Sequence, residues 1–179
     1  MKRIICIAIL VLAFASPAQA VTDAYIMVGA SNAARGVAAA SFESATGGHV
    51  INCGKEATGL KYILSAIPYI RCVNLAKGYN VIGILAINGE VETKTGDDWL
   101  LLSQKLKAKF EATYGHSLPM YHVRIHKDFP YQKYKEAVRV AQASSGWCWV
   151  DTDALTLDSN WHYDVPSAVI IGQRLAECR

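Results

Sequence analysis

The feature that most constrains the fold is a series of five short apolar runs separated by longer segments with helical spacing. The runs are rich in β-branched and aromatic residues, a pattern typical of strands buried on both faces of a parallel sheet. They occupy residues 23–29, 49–53, 80–87, 120–125 and 147–151. Segments with helical spacing occupy residues 59–78, 97–115, 131–146 and 165–177. This alternation predicts an α/β protein, a three-layer α/β/α sandwich with a five-stranded parallel, flavodoxin-like sheet.

Three residues refine the predicted helices. Pro68 is expected to kink or split the first helical segment, because proline lacks the N–H that a helix interior needs. Asp97 or Asp98 can cap the second segment, and Gly115 can end it.

Polar residues capable of catalysis follow four of the five predicted strands. They are Ser31, Asn32 and Arg35; Gly54, Lys55 and Glu56; Asn88, Gly89, Glu90 and Glu92; and Asp158, Asn160 and His162. In sheets of this kind, ligands bind beyond the carboxyl ends of the strands, so a site is predicted at that edge. The small residues in GASNAARG (residues 29–36) predict a tight turn that exposes the hydroxyl of Ser31 and leaves backbone N–H groups free for an anion.

These residue types fit serine hydrolysis, which needs a nucleophile, an imidazole base, an orienting carboxylate and donors for an oxyanion. Ser31, His162 and Asp158 can fill the first three roles. The backbone N–H groups of Ser31 and Gly54 and the amide of Asn88 can form the oxyanion hole. Singly these residues are weak signals, since a serine in a turn or an Asn-Gly pair is common. Their order along the chain and their placement after predicted strands make the combination a stronger indication of a site than any single residue.

Three blocks of the sequence resemble the SGNH (GDSL-like) hydrolases, in particular the carbohydrate O-acetylesterase branch that contains sialate O-acetylesterase-like proteins. GASNAARG is similar to the first block of that branch, G-Q-S-N with a following Arg-Gly. NGEVE (88–92) is similar to its Q-G-E-S-D block. DSNWHYD (158–164) precedes a helix that ends in the typical Gly-x-Arg-Leu-Ala. A further block contributes one glycine, which could be Gly54 or Gly59, and the strand end favours Gly54.

The resemblance implies that Ser31 is the nucleophile and His162 the general base, with Ser31, Gly54 and Asn88 holding the oxyanion. It gives Glu90 a supporting role as a buried carboxylate that bonds to the turn of the first block or to its arginine. Asn32 and Arg35 are the other supporting residues expected in this turn. Trp161, beside the histidine, is the best candidate for a wall that contacts the substrate.

The chain departs from the family pattern at two positions. Family members place the carboxylate three residues before the histidine, whereas that position is Ser159 here and Asp158 lies four before. A bulge could restore the geometry; otherwise the site is a Ser-His pair oriented by a backbone carbonyl, or it is inactive. Asn88 stands where glutamine is common, which keeps the amide chemistry.

Residues 1–20 have the basic start, the apolar core and the small-x-small end of a signal peptide, so we expect residues 21–179 to form one exported domain, secreted or periplasmic. Cleavage would remove Cys6 and leave four cysteines, which predicts two disulfides. Three pairings are possible. Cys148 with Cys178 is favoured, since one would open the last strand and the other close the last helix at the same end of the sheet.

Other classes of function have little support. Without residues 1–20 the chain carries 16 basic and 15 acidic residues, which argues against nucleic-acid binding. Nucleotide-binding motifs are absent from the sequence, and the cysteine spacing does not suit zinc. His122 and His126 lie about 13 Å apart if both are on a strand, too far to share an ion. No metal and no other cofactor is expected, and no membrane span in the mature chain.

The sequence therefore predicts a serine ester hydrolase that removes acetyl or another short acyl group from a carbohydrate. An acylated carbohydrate or another small ester is the expected partner. Two alternatives remain open: a non-catalytic module of the same fold that binds a glycan or a protein, supported by the displaced Asp158, and a thioesterase or lipase of the same superfamily.

Overall fold

The computed structural model describes residues 22–159 and 161–179. The signal peptide predicted at residues 1–20 lies outside the described residues. Five parallel strands form one sheet in the order β2-β1-β3-β4-β5. The strands are β1 Asp23–Gly29, β2 His49–Asn52, β3 Asn80–Ile87, β4 Met120–Val123 and β5 Cys148–Val150. This is the flavodoxin-like order, so the predicted fold class is confirmed.

Helices cover both faces of the sheet. They are α1 Ser31–Ala34, α2 Val37–Thr46, α3 Leu60–Leu64, α4 Ala66–Leu75, α5 Glu90–Thr95, α6 Trp99–Tyr114, α7 Lys135–Ala143 and α8 Val165–Glu177. Residues of α3, α4, α6 and α7 share one apolar core with the sheet, and residues of α1, α2 and α8 share a second core on the opposite face. Sheet and helices therefore form the three layers that the alternation of segments predicts.

Several helix boundaries differ from the prediction. The first helical segment is split, but at Ser65, and Pro68 lies inside the first turn of α4, where proline is tolerated. The second segment begins after Asp98, whose side chain accepts the N–H of Leu101 at 2.9 Å, and Gly115 ends it, as expected. The periodicity did not predict α1, α2 or α5.

Strands β1 and β3 lie side by side and end at the same level. Gly29 is opposite Ile87 in the register, so Ser31 and Asn88 follow neighbouring strand ends. Gly29 has φ +151°, and a Cβ there would lie 1.9 Å from the carbonyl oxygen of Ile87. Only glycine lets β1 turn into α1 this close to β3.

Both disulfides are formed within the described chain. Cys148 pairs with Cys178, joining β5 to the end of α8, and Cys53 pairs with Cys72, joining the end of β2 to α4. The predicted pairing is confirmed. Among the helices of residues 22–159 and 161–179, none has the length and apolar character required to cross a membrane.

Candidate active site

The hydroxyl of Ser31 and the imidazole of His162 meet at the carboxyl edge of the sheet. Ser31 is the first residue of α1 and is separated from the end of β1 only by Ala30, and His162 lies in the loop between β5 and α8. The distance between Ser31 Oγ and His162 Nε2 is 2.9 Å, a normal hydrogen-bond length. The two atoms are therefore close enough for the direct contact between hydroxyl and imidazole that nucleophilic serine chemistry requires.

The other imidazole nitrogen contacts a residue that the sequence did not predict to orient it. His162 Nδ1 lies 3.4 Å from Oγ of Ser159. The carboxylate of Asp158 instead pairs with Arg35 at 3.1 Å, although Asp158 was the expected orienting group. The backbone explains the difference, because the N–H of Asp158 donates to the carbonyl of His162 at 2.9 Å. In this tight turn the side chain three residues before the histidine reaches Nδ1, and the one four before it does not.

Asn32 and Arg35 hold the histidine loop, which we define as residues 157–159 and 161–163. Asn32 Nδ2 donates to the carbonyl of Trp161 at 3.2 Å, and Asn32 Oδ1 accepts the N–H of Tyr163 at 3.2 Å. Arg35 Nη1 donates to the carbonyl of Tyr163 at 3.3 Å as well as to Asp158. The turn that carries Ser31 thus also positions the loop that carries His162.

Glu90, at the start of α5, lies next to Asn32. Its Oε1 accepts a hydrogen bond from Asn32 Nδ2 at 3.0 Å, while its Oε2 is buried and has no hydrogen-bond partner among the described residues. Burial raises the pKa of Glu90 to about 7, because the charged form loses its hydration, although the Asn32 bond opposes the shift. Near neutral pH this carboxyl group is therefore divided between its neutral and charged forms.

The side-chain amide of Asn88 is buried and held in one orientation. Trp99 Nε1 donates to Asn88 Oδ1 at 2.7 Å, and Gln142 Nε2 donates to the backbone carbonyl of Asn88 at 3.0 Å. Asn88 Nδ2 finds no partner in the part of the chain that the structure describes. An amide N–H group left free in this way is the kind of donor that stabilises an oxyanion.

The hydrogen bond from Trp99 to Asn88 is a contact of the candidate site that the sequence did not predict. Trp99 is the first residue of α6, and its buried ring packs against His122 with the ring centroids 5.0 Å apart. The sequence signal was ambiguous, since a tryptophan at the start of a helix is typical of a core position. The hydrogen-bond partner of its indole cannot be predicted from the spacing of residues along the chain.

Gly54 does not present a free N–H group, contrary to its expected role in the oxyanion hole. Its N–H donates to Oδ1 of Asn52 at 2.9 Å. Gly54 packs tightly on α1, since a Cβ there would lie 2.7 Å from the backbone nitrogen of Ala34. The other candidate glycine, Gly59, lines a small cavity together with Asn88.

A pocket of about 560 Å³ opens beside Ser31 and His162. Three aromatic side chains form one wall, where Trp161 lies 4.8 Å from Tyr131 and 5.6 Å from Phe129 between ring centroids. Trp161 remains 38% exposed. Side chains that can ionise also line this pocket, namely Glu56, Glu90 and Lys94. Its volume lies within the range of roughly 300–1,000 Å³ that is usual for small-molecule sites.

The two histidines considered for a metal each have separate partners. His122 Nε2 lies 3.0 Å from Ser145 Oγ, and His126 Nε2 lies 3.0 Å from the carbonyl of Leu155. Burial lowers the pKa of His122 to about 4. Within residues 22–159 and 161–179, no cluster of three metal-ligating side chains is present.

Comparison with known proteins identifies solved structures with a similar fold. No protein-family model matches the sequence, and no characterised protein matches it at a significant level. A solved protein from Arabidopsis thaliana is 20% identical with a TM-score of 0.66, over 78% of this chain and 65% of that protein's length. This chain therefore spans just under two thirds of the Arabidopsis protein.

Two bacterial structures match over nearly their whole length. A provisionally assigned lipolytic protein of the G-D-S-L family from Desulfitobacterium hafniense has a TM-score of 0.65 at 12% identity, over 87% of this chain and 99% of its own. A provisionally assigned SGNH hydrolase from Slackia heliotrinireducens has a TM-score of 0.66 at 12% identity, over 87% and 98%. At such identities the likeness establishes the fold.

Proposed function

We propose that this chain is an exported serine hydrolase of the SGNH type that removes acetyl or another short acyl group from a carbohydrate. The observation that carries the proposal is the distance of 2.9 Å between Ser31 Oγ and His162 Nε2, two residues that are 131 positions apart in the sequence. The similar fold of proteins assigned to the SGNH and G-D-S-L families adds support.

In the proposed reaction Ser31 Oγ attacks the ester carbonyl while His162 Nε2 takes its proton. The tetrahedral oxyanion accepts hydrogen bonds from the backbone N–H of Ser31 and from Asn88 Nδ2. Gly54 can contribute only if its N–H leaves Asn52. His162 then donates the proton to the departing alcohol, and a water activated by the same imidazole hydrolyses the acyl-serine. No cofactor takes part in this sequence.

The substrate side of the proposal is based on the pocket beside Ser31. Aromatic rings such as those of Trp161 and Tyr131 can stack on the apolar face of a sugar ring, and carboxylates such as Glu56 can accept hydrogen bonds from its hydroxyls. Export is supported by the two disulfides, which persist in oxidising compartments.

Labelling with a fluorophosphonate and hydrolysis of p-nitrophenyl acetate test the proposal. We expect the protein to react with the probe, and Ser31→Ala to abolish labelling and to lower kcat by roughly 10³-fold or more. Ser144→Ala, at an exposed serine after α7, is the matched control and should retain both activities. Acetylated sugars, acyl thioesters and long-chain esters compared at equal concentration then rank the substrate classes.

A second candidate function is a binding module that keeps the fold without catalysis. The observation in its favour is that Asp158 pairs with Arg35 and not with His162. If the intact protein neither reacts with the fluorophosphonate nor hydrolyses p-nitrophenyl acetate, the enzymatic proposal is wrong and binding of glycans at the same pocket becomes the function to test.

A further inference from the structure

The hydroxyl of Ser159 occupies the place beside His162 Nδ1 where a carboxylate would orient the imidazole. Three contacts converge on this single oxygen. His162 Nδ1 lies 3.4 Å away, and the backbone N–H groups of Trp161 and His162 both donate to Ser159 Oγ at 3.3 Å. How the hydrogens are shared among these contacts decides the state of the imidazole.

A count of hydrogens assigns the contact between Ser159 and Nδ1. A serine hydroxyl has one hydrogen and two lone pairs. The two backbone N–H groups can only donate, so they use both lone pairs of Ser159 Oγ. The remaining hydrogen of the hydroxyl points to His162 Nδ1, which therefore accepts. A neutral imidazole that accepts at Nδ1 carries its proton at Nε2.

We propose that Ser159 is a positioning residue that holds His162 in the tautomer with the proton on Nε2. In this tautomer Nε2 donates to Ser31 Oγ across the 2.9 Å contact and has no lone pair to receive the serine proton. Before attack, Nε2 must release its proton to water and Nδ1 must take one from water. The imidazole must therefore change its tautomer before the pair can react.

The rate consequence of this inference depends on the proposed ester hydrolysis. Asp158 does not relieve the constraint, because its carboxylate is paired with Arg35. In serine proteases, the wrong imidazole tautomer lowers kcat by about 10⁴-fold. A carboxylate at position 159 would accept a hydrogen bond from Nδ1–H and favour the tautomer that leaves Nε2 free to act as the base.

The variant Ser159→Asp tests the inference by activity. We expect kcat/KM for p-nitrophenyl acetate to rise by roughly 10- to 10³-fold, a part of that full tautomer effect. The gain should disappear when Ser31→Ala is added. Ser65→Asp, at an exposed serine between α3 and α4 whose Oγ donates to the carbonyl of Tyr62, adds the same charge away from the pocket and should stay within two-fold of the unmodified protein.

Nitrogen-15 NMR of the imidazoles at alkaline pH tests the inference without reference to rate. The resonances of His162 are assigned by their loss in His162→Gln. We expect the proton on Nε2 in the unmodified protein and on Nδ1 in Ser159→Asp. If Ser159→Asp fails to fold, the spectrum of the unmodified protein still decides.

The outcomes separate this inference from the proposed function. A proton on Nδ1 in the unmodified protein overturns the inference, and so does a folded Ser159→Asp without a gain in Ser31-dependent hydrolysis. If the unmodified protein is inactive but Ser159→Asp acquires Ser31-dependent hydrolysis, the inference holds and the proposed function does not.

Discussion

A single indole decides which way the buried amide of Asn88 faces. Because Trp99 Nε1 donates to Asn88 Oδ1, the NH₂ group of the amide is left to donate elsewhere. Trp99→Phe keeps an aromatic ring but removes this donor, so the amide can rotate. We expect kcat for p-nitrophenyl acetate to fall roughly 10- to 100-fold with little change in KM. This fall is smaller than the loss of roughly 10²- to 10³-fold in kcat that follows complete removal of an oxyanion donor, because the amide is still present.

Trp149→Phe is the matched control for the Trp99 substitution. Trp149 lies on β5 with its ring 4.6 Å from the guanidinium of Arg124, away from the pocket beside Ser31. We expect kcat to be unchanged in this variant. A higher KM with an unchanged kcat in Trp99→Phe would contradict the positioning role, since it would indicate a loss of substrate binding alone.

The buried carboxyl group of Glu90 makes stability depend on pH. Its folded pKa of about 7 lies above the ordinary value of 4.5 for a glutamate, so between these pH values the folded state holds a proton that the unfolded state releases. The contribution of this group is therefore most favourable below about pH 4.5 and is lost as the pH rises towards 7. The full loss amounts to about 3 kcal/mol at most.

Glu90→Gln removes this titration. We expect the free energy of unfolding of the variant, relative to the unmodified protein, to be higher at pH 8 than at pH 5 by about 1–3 kcal/mol. Urea unfolding at the two pH values, with the disulfides intact, measures the difference. An equal relative stability at both values would show that Glu90 titrates normally.

At the scale of elements, α1 holds the histidine loop in place. Asn32 of α1 contacts that loop at Trp161 and Tyr163 and also binds Glu90 of α5. Asn32→Ala removes all three hydrogen bonds. We expect kcat to fall by about 10²-fold, the order of loss that a displacement of 1 Å can cause, and fluorophosphonate labelling to slow in parallel.

The matched control is Asn80→Ala, which removes an exposed hydrogen bond of 2.7 Å to Asp23 at the opposite edge of the sheet. It should leave kcat and labelling unchanged. Normal labelling of Asn32→Ala would show that the histidine loop keeps its position without the hydrogen bonds from Asn32.

Elements with large apolar residues were predictable from the sequence, and elements built from small ones were not. The boundaries of β1, β3 and α8 agree with the predicted ranges. Helix α2 has a buried face of Ala38, Ala39 and Phe42, because it approaches α8 so closely that a Cβ on Gly172 would lie 2.4 Å from the carbonyl oxygen of Ala38. Such a face produces little apolar periodicity.

Long-range hydrogen bonds account for the other differences. The predicted fourth strand extends to residue 125, but β4 ends at Val123, and the side chain of Gln142 accepts the N–H of Ile125 at 2.8 Å in place of a strand partner. At the site, the predicted strand ends indicated which loops carry the candidate residues. The partner of each side chain within a loop depends on turn geometry, which is why Asp158 and Ser159 could not be distinguished from spacing.

At the scale of the whole molecule, the disulfide Cys148–Cys178 closes the segment that contains the histidine loop. The two cysteines are 30 residues apart, and restricting the unfolded chain over such a span is worth about 3–4 kcal/mol. We expect Cys148→Ser with Cys178→Ser to lower the free energy of unfolding by about this amount, measured by urea denaturation.

In the same double variant, measurement of kcat distinguishes an effect on stability from an effect on the geometry of the site. Below its unfolding transition we expect kcat to remain within a few-fold of the unmodified protein, because Asn32 and Arg35 still hold the histidine loop. A loss of kcat without a loss of stability would show instead that the disulfide acts directly on the site.

The serine and the imidazole follow the first and the last strand of the described sheet, and this has a consequence during synthesis. A ribosome-bound chain that has emerged only as far as β4 already contains Ser31 but not His162. Any reactivity that depends on the pair therefore requires translation to continue beyond β5, so the proposed nucleophile, Ser31, cannot be activated by His162 before that point.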